Sequence, residues 1–223
     1  MPSRVIVALD EPDYEECLAL ARRVDPKKCR VKVGKALFTQ CGPKVIDSLH
    51  KLGFEIFLDL KIHDIPMQTA KTCRVCADLG VWMSNVHASG GFEMMRAAKE
   101  AVLASKNPGM KLIAVTLLTS LGENDLRRVE IPLLAEDYVS RMAALTAEAG
   151  LDGVVCSAGE ASRLRQERGP SFCLVTPGIR FAEDPRNDQR RTATPEEALC
   201  NGSDYLVVGR SYFSSVERWE DVR

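Results

Sequence analysis

Three charged residues interrupt an apolar segment at residues 57–66, FLDLKIHDIP. Asp59 and Lys61 lie within what reads as a buried strand, and Asp64 follows it. Because strand side chains alternate, Asp59 and Lys61 share one face. A buried charge is costly unless it is paired, so we expect these groups and Lys32, on a neighbouring strand, to form a network of alternating charges. A lysine held as a cation in such a network can stabilise a developing negative charge and supply a proton.

The same residues also admit a purely structural interpretation. Asp59 and Lys61 could form a stabilising ion cluster, and Asp64 could simply cap the helix that follows DIP. Buried ion pairs contribute little net stability, however, which favours a chemical role for Asp59 and Lys61.

The elements that must position these charges follow a repeating pattern of strand and helix. Eight β-rich segments are separated by amphipathic segments whose apolar residues recur at helical spacing. The β-rich segments are RVIVALD, RVKVG, EIFLDLK, WMSNVHAS, KLIAVTLL, GVVCSA, FCLVTPG and YLVVGR. This alternation favours a parallel sheet with crossover helices. Eight such units predict a single (β/α)8 TIM barrel domain over residues 1–223, with an open doubly wound sheet as the alternative.

The last two strands end in residues suited to binding an anion. TPGIR contains Gly178 and Arg180, and VVGR ends in Gly209 and Arg210. Glycine lets the backbone approach an anion closely, and arginine can bind one with two parallel hydrogen bonds. Barrels of this class often bind phosphate with the loops after strands 7 and 8. We therefore predict a phosphate site there, the alternative being a solvated loop with surface arginines.

The composition limits the partners and the compartment. Lys and Arg number 30 against 31 Asp and Glu, so nothing indicates a nucleic acid or a membrane surface as a partner. No apolar stretch approaches the ~20 residues of a membrane span, and MPSRVIVALD does not read as a signal peptide. We expect a cytoplasmic protein with reduced cysteines. Cys73 and Cys76 form a CxxC within a predicted helix, where two buried thiols are expected rather than a redox or zinc site.

The histidines suggest a base, but a structural role is favoured. His87 follows a β-rich segment and is expected to be a packed, hydrogen-bonded residue. His63 could orient the charges or be structural. No set of His, Cys and carboxylate residues has metal-ligand spacing, so we predict no metal site.

Together these motifs resemble those of the orotidine 5′-phosphate decarboxylase family, above all its bacterial single-domain branch. DLKIHDIP resembles the DxKxxDI signature of that family. The other motifs resemble the family's in order over residues 10–210: VKVGKALF, NVHASGG, VTLLTS, GVVCSA, VTPGIR, DQRR and VVGR. The resemblance implies a homodimeric barrel that converts orotidine 5′-phosphate to UMP and carbon dioxide, the last step of de novo UMP biosynthesis, without a metal or other cofactor.

The resemblance also implies a role for each matching residue. Lys61 would protonate the ring carbon that loses carbon dioxide, and Asp59 would lie beside the substrate carboxylate. Lys32 would hold Asp59 and contact the ribose. Asp64 would complete the charge array in the partner subunit's site. The remaining substrate contacts would be Asp10 at the ribose, Thr119 and Ser120 at the pyrimidine, and Arg180, Gln189, Gly209 and Arg210 at the phosphate.

One position departs from the family pattern. After DIP the family commonly has Asn-Thr, whereas this chain has Met67 and Gln68. The family's Thr would contact substrate in the partner subunit's site, and Gln68 could replace it with a longer donor.

Two other functions remain open. A sugar-phosphate decarboxylase or hexulose-phosphate synthase shares the DxK strand but needs a divalent metal, and Lys32 lies where a carboxylate would help that chemistry. A non-catalytic binder of a phosphorylated ligand is the second alternative. The intact set of charges argues against it, because a binder has no use for an acidic pair near an anionic ligand.

Overall fold

A closed barrel of eight parallel strands forms the centre of the molecule. The computed structural model describes residues 4–181, 183, 192–220 and 222. The strands are β1 (Val5–Leu9), β2 (Arg30–Gly34), β3 (Ile56–Ile62), β4 (Met83–His87), β5 (Lys111–Val115), β6 (Gly153–Val155), β7 (Cys173–Pro177) and β8 (Tyr205–Val208). They pair in chain order, and β8 closes on β1. The predicted (β/α)8 TIM barrel is therefore confirmed, and the open sheet is excluded.

Helices connect the strands around the outside of the barrel. They are α1 (Tyr14–Ala21), α2 (Lys35–Cys41), α3 (Pro43–Lys51), α4 (Pro66–Asp78), α5 (Phe92–Leu103), α6 (Glu123–Arg128), α7 (Ala135–Glu148), α8 (Ala158–Arg168), α9 (Pro195–Cys200), α10 (Arg210–Ser214) and α11 (Val216–Glu220), with a 3-10 turn at Ala88–Gly90. Local sequence signals explain several of the helix starts. At α9, Thr194 and Glu197 form a capping box: the Glu197 N–H donates to Thr194 Oγ1 at 3.2 Å, and the Thr194 N–H donates to Glu197 Oε2 at 2.8 Å.

Each strand buries one face inside the barrel and the other against the helices. On β3, Phe57 belongs to the apolar cluster inside the barrel, whereas Leu58 belongs to the cluster between barrel and helices. This alternation turns Asp59 inward and leaves Leu60 packed against the outer cluster.

The C-terminal part of β3 departs from regular strand geometry. Its register against β4 shifts between Leu58 and Ile62, and Lys61 adopts a φ of 50°. A β-bulge of this kind re-aims a side chain, and bulges are over-represented next to active sites. The irregularity lies within the segment that carries the charges.

The CxxC of α4 is a pair of buried core thiols. Cys73 and Cys76 are both buried, and neither forms a disulfide. Burial raises the pKa of Cys76 to about 11, so its thiol is protonated at neutral pH. The burial of both groups agrees with the expectation of two packed thiols. No helix in the described part of the chain is long and apolar enough to cross a membrane.

Candidate active site

A cavity of about 380 Å³ opens at the C-terminal ends of the strands. Its volume lies in the range of about 300–1,000 Å³ typical of small-molecule sites. Nine of the residues predicted from the sequence line it: Asp10, Lys32, Asp59, Lys61, Thr119, Gly178, Arg180, Gly209 and Arg210. The barrel brings them together because parallel strands end at one rim.

Four charged residues that line this cavity form a series of ion pairs. Lys61 Nζ donates to Asp59 Oδ1 at 2.6 Å, and Lys32 Nζ lies 3.4 Å from Asp59 Oδ2. Lys32 also donates to Asp10 Oδ1 at 3.2 Å. The side chains of Lys32 and Asp59 are 12% and 10% exposed, so the contact between them is largely shielded from water, whereas Asp10 lies at the exposed edge. The alternating network expected from the sequence is present for these residues.

The network keeps its buried members charged. Burial by itself would raise the pKa of Asp59, but Lys32 and Lys61, with hydrogen bonds from Lys61 and Asn85, hold that pKa below its usual range. Burial would likewise lower the pKa of Lys32, but Asp59 and Asp10 outweigh it and hold that pKa above its usual value. The cavity therefore contains fixed charges at neutral pH.

Asn85, a buried residue of β4 for which no role was predicted, contacts both Asp59 and Lys61. Its Nδ2 donates to Asp59 Oδ1 at 2.8 Å, and its Oδ1 accepts a hydrogen bond from the Lys61 backbone N–H at 2.8 Å. An amide within a β-rich segment was the available signal, because a polar group that a strand buries needs a partner.

Asp64 lies outside the charge network of its own chain. It is exposed, and its Oδ1 accepts a hydrogen bond from the N–H of Ile65 at 2.7 Å. None of the ion pairs found among residues 4–181, 183, 192–220 and 222 includes Asp64. No side-chain hydrogen bond caps α4, so the capping role that was considered for Asp64 is not observed.

Gln68 and Ser120 are also exposed and do not line the cavity. Gln68 lies in the first turn of α4, and Ser120 lies in the loop after β5. Their proposed substrate contacts, like those of Asp64, stay predictions. Gln189 lies outside the described residues.

The far wall of the cavity comes from the ends of β7 and β8. Gly178, with a φ of 79°, precedes Ile179 and Arg180 in this wall, and Arg210, which begins α10 after the neighbouring strand β8, also lines it. The cluster of backbone and guanidinium donors is suited to an anion. Ser211 and Ser214, which the sequence analysis did not assign, also line the cavity. Their spacing of three residues places both on one face of a helix, and this spacing could have predicted that they line the cavity together.

The two histidines lie beside the charge array rather than in the cavity wall. The rings of His63 and His87 are 5.4 Å apart. Burial lowers the pKa of His87, and the nearby charges of His63, Lys35 and Lys61 lower it further. His87 is thus neutral near pH 7. Its half-buried position and ring contact agree with the packed residue that was expected, whereas the expected side-chain hydrogen bond is not found among the described residues.

No group of three or more His, Cys, Asp or Glu residues with the arrangement of a metal site occurs in the described part of the chain.

Comparisons with known proteins agree on one family. The family model described as "Orotidine 5′-phosphate decarboxylase / HUMPS family" matches residues 3–221. A protein of Nitrosospira multiformis named orotidine 5′-phosphate decarboxylase is 55% identical over 215 residues, covering 96% of this chain and 88% of the relative. One of the same name from Klebsiella pneumoniae is 53% identical, with the same coverage of both chains.

A solved structure extends the similarity to three dimensions. The crystal structure of orotidine 5′-phosphate decarboxylase from Lactobacillus acidophilus superposes with a TM-score of 0.85 at 35% identity, covering 98% of this chain and 99% of the other. The family-model match and these identities leave no ambiguity about ancestry. The chain belongs to the orotidine 5′-phosphate decarboxylase / HUMPS family.

Proposed function

We propose that residues 1–223 form a single decarboxylase domain that converts orotidine 5′-phosphate to UMP and carbon dioxide, the last step of de novo UMP biosynthesis. One observation carries the proposal: Lys61 Nζ lies 2.6 Å from Asp59 Oδ1 in a half-buried contact, and both residues line the same cavity as Arg180 and Arg210. The names of the relatives at 51–55% identity support it. A cavity with a fixed cation at one end and anion donors at the other suits a ring carboxylate joined to a phosphate.

Lys61 is the proposed acid. Loss of carbon dioxide breaks the bond between the ring carbon and the carboxylate, and the electron pair stays on the ring carbon. Lys61 then transfers a proton from Nζ to that carbon, which forms the C–H bond of UMP and leaves a neutral amine to be reprotonated from water. A charge that is already in place in a shielded site stabilises the developing carbanion without reorganisation. We therefore propose that the reaction needs no metal or other cofactor.

Asp59 and Lys32 have supporting parts in this scheme. Asp59 accepts a hydrogen bond from Lys61 Nζ and lies beside the substrate carboxylate. Lys32 holds Asp59 from the opposite side, with its Nζ 3.4 Å from Oδ2, and also reaches the ribose. Asp10 pairs with Lys32 from the exposed edge of the cavity and binds the ribose.

The remaining predicted residues bind the substrate away from the reacting carbon. Thr119 lines the cavity and is assigned to the pyrimidine, with Ser120 beside it in the chain. Arg180, Gly209 and Arg210, together with Gln189, bind the phosphate. Binding energy from this remote group can hold the reacting end in strained geometry.

We also propose a homodimer in which Asp64 completes the array of the partner subunit. In its own chain Asp64 is exposed, and the residues beside it are apolar: Ile65 and Met67 are 65% and 66% exposed. Exposed apolar surface of this kind often marks a protein interface. Gln68, one residue further, is then the candidate replacement for the family's substrate-binding Thr. The cytoplasmic location expected from the sequence stays a prediction.

The rival within the family is a metal-dependent enzyme acting on a sugar phosphate. The ion pairs of Lys32 with both Asp59 and Asp10 favour the decarboxylase, because they place a cation between the carboxylates that a metal ion would need.

An absorbance assay for loss of orotidine 5′-phosphate tests the proposal. The purified protein is assayed with and without a chelating agent, with Lys61→Ala as the inactive control. We expect turnover that is insensitive to the chelator and absent in the variant. No turnover by the parental protein would refute the proposed function, and turnover that the chelator abolishes would refute the metal-free scheme.

A further inference from the structure

One buried amide joins the backbone of Lys61 to the side chain of Asp59. Asn85 is fully buried on β4. Its Oδ1 accepts a hydrogen bond from the Lys61 backbone N–H and its Nδ2 donates to Asp59 Oδ1, each at 2.8 Å. The same Asp59 oxygen accepts the hydrogen bond from Lys61 Nζ. The backbone, the ammonium group and the carboxylate are thus connected through a single side chain.

The amide lies where β3 is least regular. Lys61 has a φ of 50°, in the left-handed region that non-glycine residues seldom occupy, and the register against β4 shifts around it. Such a conformation persists only where the surrounding structure holds it. The hydrogen bond from the Lys61 N–H to Asn85 is a direct restraint on this conformation, because it ties the irregular residue to the neighbouring strand.

We propose that Asn85 is a positioning residue for the decarboxylation: it holds the left-handed backbone of Lys61 and orients the Asp59 carboxylate, so that the Lys61 ammonium group points into the cavity. This inference rests on the proposed function. Asn85 is not among the described residues that line the cavity, so it acts through Lys61 and Asp59 rather than on the substrate.

The chemistry of the two contacts explains why an amide is suited to this position. A backbone N–H can only donate and a carboxylate can only accept, so the bridging side chain must present an acceptor and a donor together. An aspartate at position 85 would bring a second carboxylate against Asp59. An apolar residue of the same size would leave the Lys61 N–H and one Asp59 contact unsatisfied in a buried environment, which is unfavourable.

Ser84 provides a matched control on the same strand. It is fully buried, and its Oγ donates to the Leu58 carbonyl of β3 at 3.0 Å. Ser84→Ala therefore removes one side-chain hydrogen bond between β4 and β3, whereas Asn85→Ala removes two, and only the second variant touches Lys61 and Asp59. A loss that is merely structural would lower the unfolding midpoint of both variants without a selective fall in the kcat of Asn85→Ala.

The experiment compares kcat for orotidine 5′-phosphate, the Kd for UMP and the midpoint of urea unfolding in the two variants. We expect Asn85→Ala to lower kcat by about 10²-fold, the scale of a misplacement of about 1 Å. Its Kd for UMP should change by less than about threefold, because the remote binding groups are intact. For Ser84→Ala we expect kcat and the Kd for UMP to lie within about threefold of the parental values. Its unfolding midpoint should be comparable to that of Asn85→Ala.

A crystal structure of Asn85→Ala gives a readout independent of activity. We expect residue 61 to leave the left-handed region and its Nζ to move away from Asp59. The inference is overturned if Asn85→Ala keeps a kcat like that of Ser84→Ala, or if its structure retains the parental geometry at Lys61. Should Asn85→Ala fail to fold, Asn85→Ser, whose short hydroxyl cannot span both contacts, is measured in the same way. If the parental protein does not convert orotidine 5′-phosphate, the proposed function fails, while the crystal structure still decides whether Asn85 positions Lys61.

Discussion

Lys61 offers a test that separates the strain in its backbone from the chemistry of its side chain. Lys61→Ala and Lys61→Gly both remove the ammonium group, and in both variants Asp59 keeps its contacts with Lys32 and Asn85. The two variants differ only in whether residue 61 carries a Cβ. Any difference in stability between them therefore reports the backbone conformation at that position.

The expected magnitude follows from the φ of 50° at residue 61. A residue with a Cβ loses about 1–2 kcal/mol in the left-handed region, whereas glycine loses about 0.5–1 kcal/mol through the larger entropy of its unfolded chain. The difference between the midpoints of these two ranges predicts that Lys61→Gly is more stable than Lys61→Ala by about 0.75 kcal/mol. For a chain of this length that corresponds to a Tm higher by about 1–4 °C.

Leu60 supplies the control pair for this measurement. It precedes Lys61 on β3 but is not among the described residues with positive φ. There we expect the ordinary order, with Leu60→Ala more stable than Leu60→Gly by about 0.5–1 kcal/mol. Urea unfolding of the four variants, followed by circular dichroism, gives the free energies. If the alanine variant is more stable than the glycine variant at both positions, the claim that the Lys61 backbone is strained is refuted.

The same two variants test the proposed acid. Both should lose at least about 10³-fold in kcat, because the fixed cation and the transferable proton disappear together. UMP binding, measured by calorimetry, should largely survive, since the residues proposed to bind the phosphate are unchanged. A kcat within about tenfold of the parental value in either variant would exclude Lys61 as the proton donor.

Three further outcomes follow from the site. Arg210→Ala should raise the KM for orotidine 5′-phosphate by about 10–10²-fold while leaving the slow turnover of unphosphorylated orotidine unchanged; an equal loss on both substrates would contradict the phosphate assignment. Mixing Asp64→Asn and Lys61→Ala subunits should restore about a quarter of parental activity, since one site of each hybrid dimer combines both native residues; no recovery despite demonstrated subunit exchange would count against a shared site. Because the folded-state pKa of His87 is lowered from 6.5, the unfolded chain binds the proton first as the pH falls. Stability should therefore decline below about pH 6.5, and His87→Gln should flatten that decline. An unaltered slope between about pH 5.5 and 7.5, one unit either side of the pKa of a free histidine, would argue against this cause.

Much of the site could be predicted from the sequence because strand geometry is periodic. Alternation along β3 put Asp59 and Lys61 on one face, and strand order put Lys32 next to them. The exposed position of Ser120 could not be predicted in the same way, because loops have no fixed period. Asn85 was visible as a polar residue in a strand, but its two partners lie 24 and 26 residues away in the chain.

The sequence by itself determined the barrel, the buried thiols of α4, and the rim at which the charges meet, since each depends on a local period or on the order of elements. Only the tertiary structure decided the left-handed conformation of Lys61 and the bridge from Asn85, because both arise where two strands are forced out of register. It also decided that Asp64 turns away from the array of its own chain. Contacts of this kind depend on side chains from different elements approaching within hydrogen-bond distance, which no periodic pattern in one segment specifies.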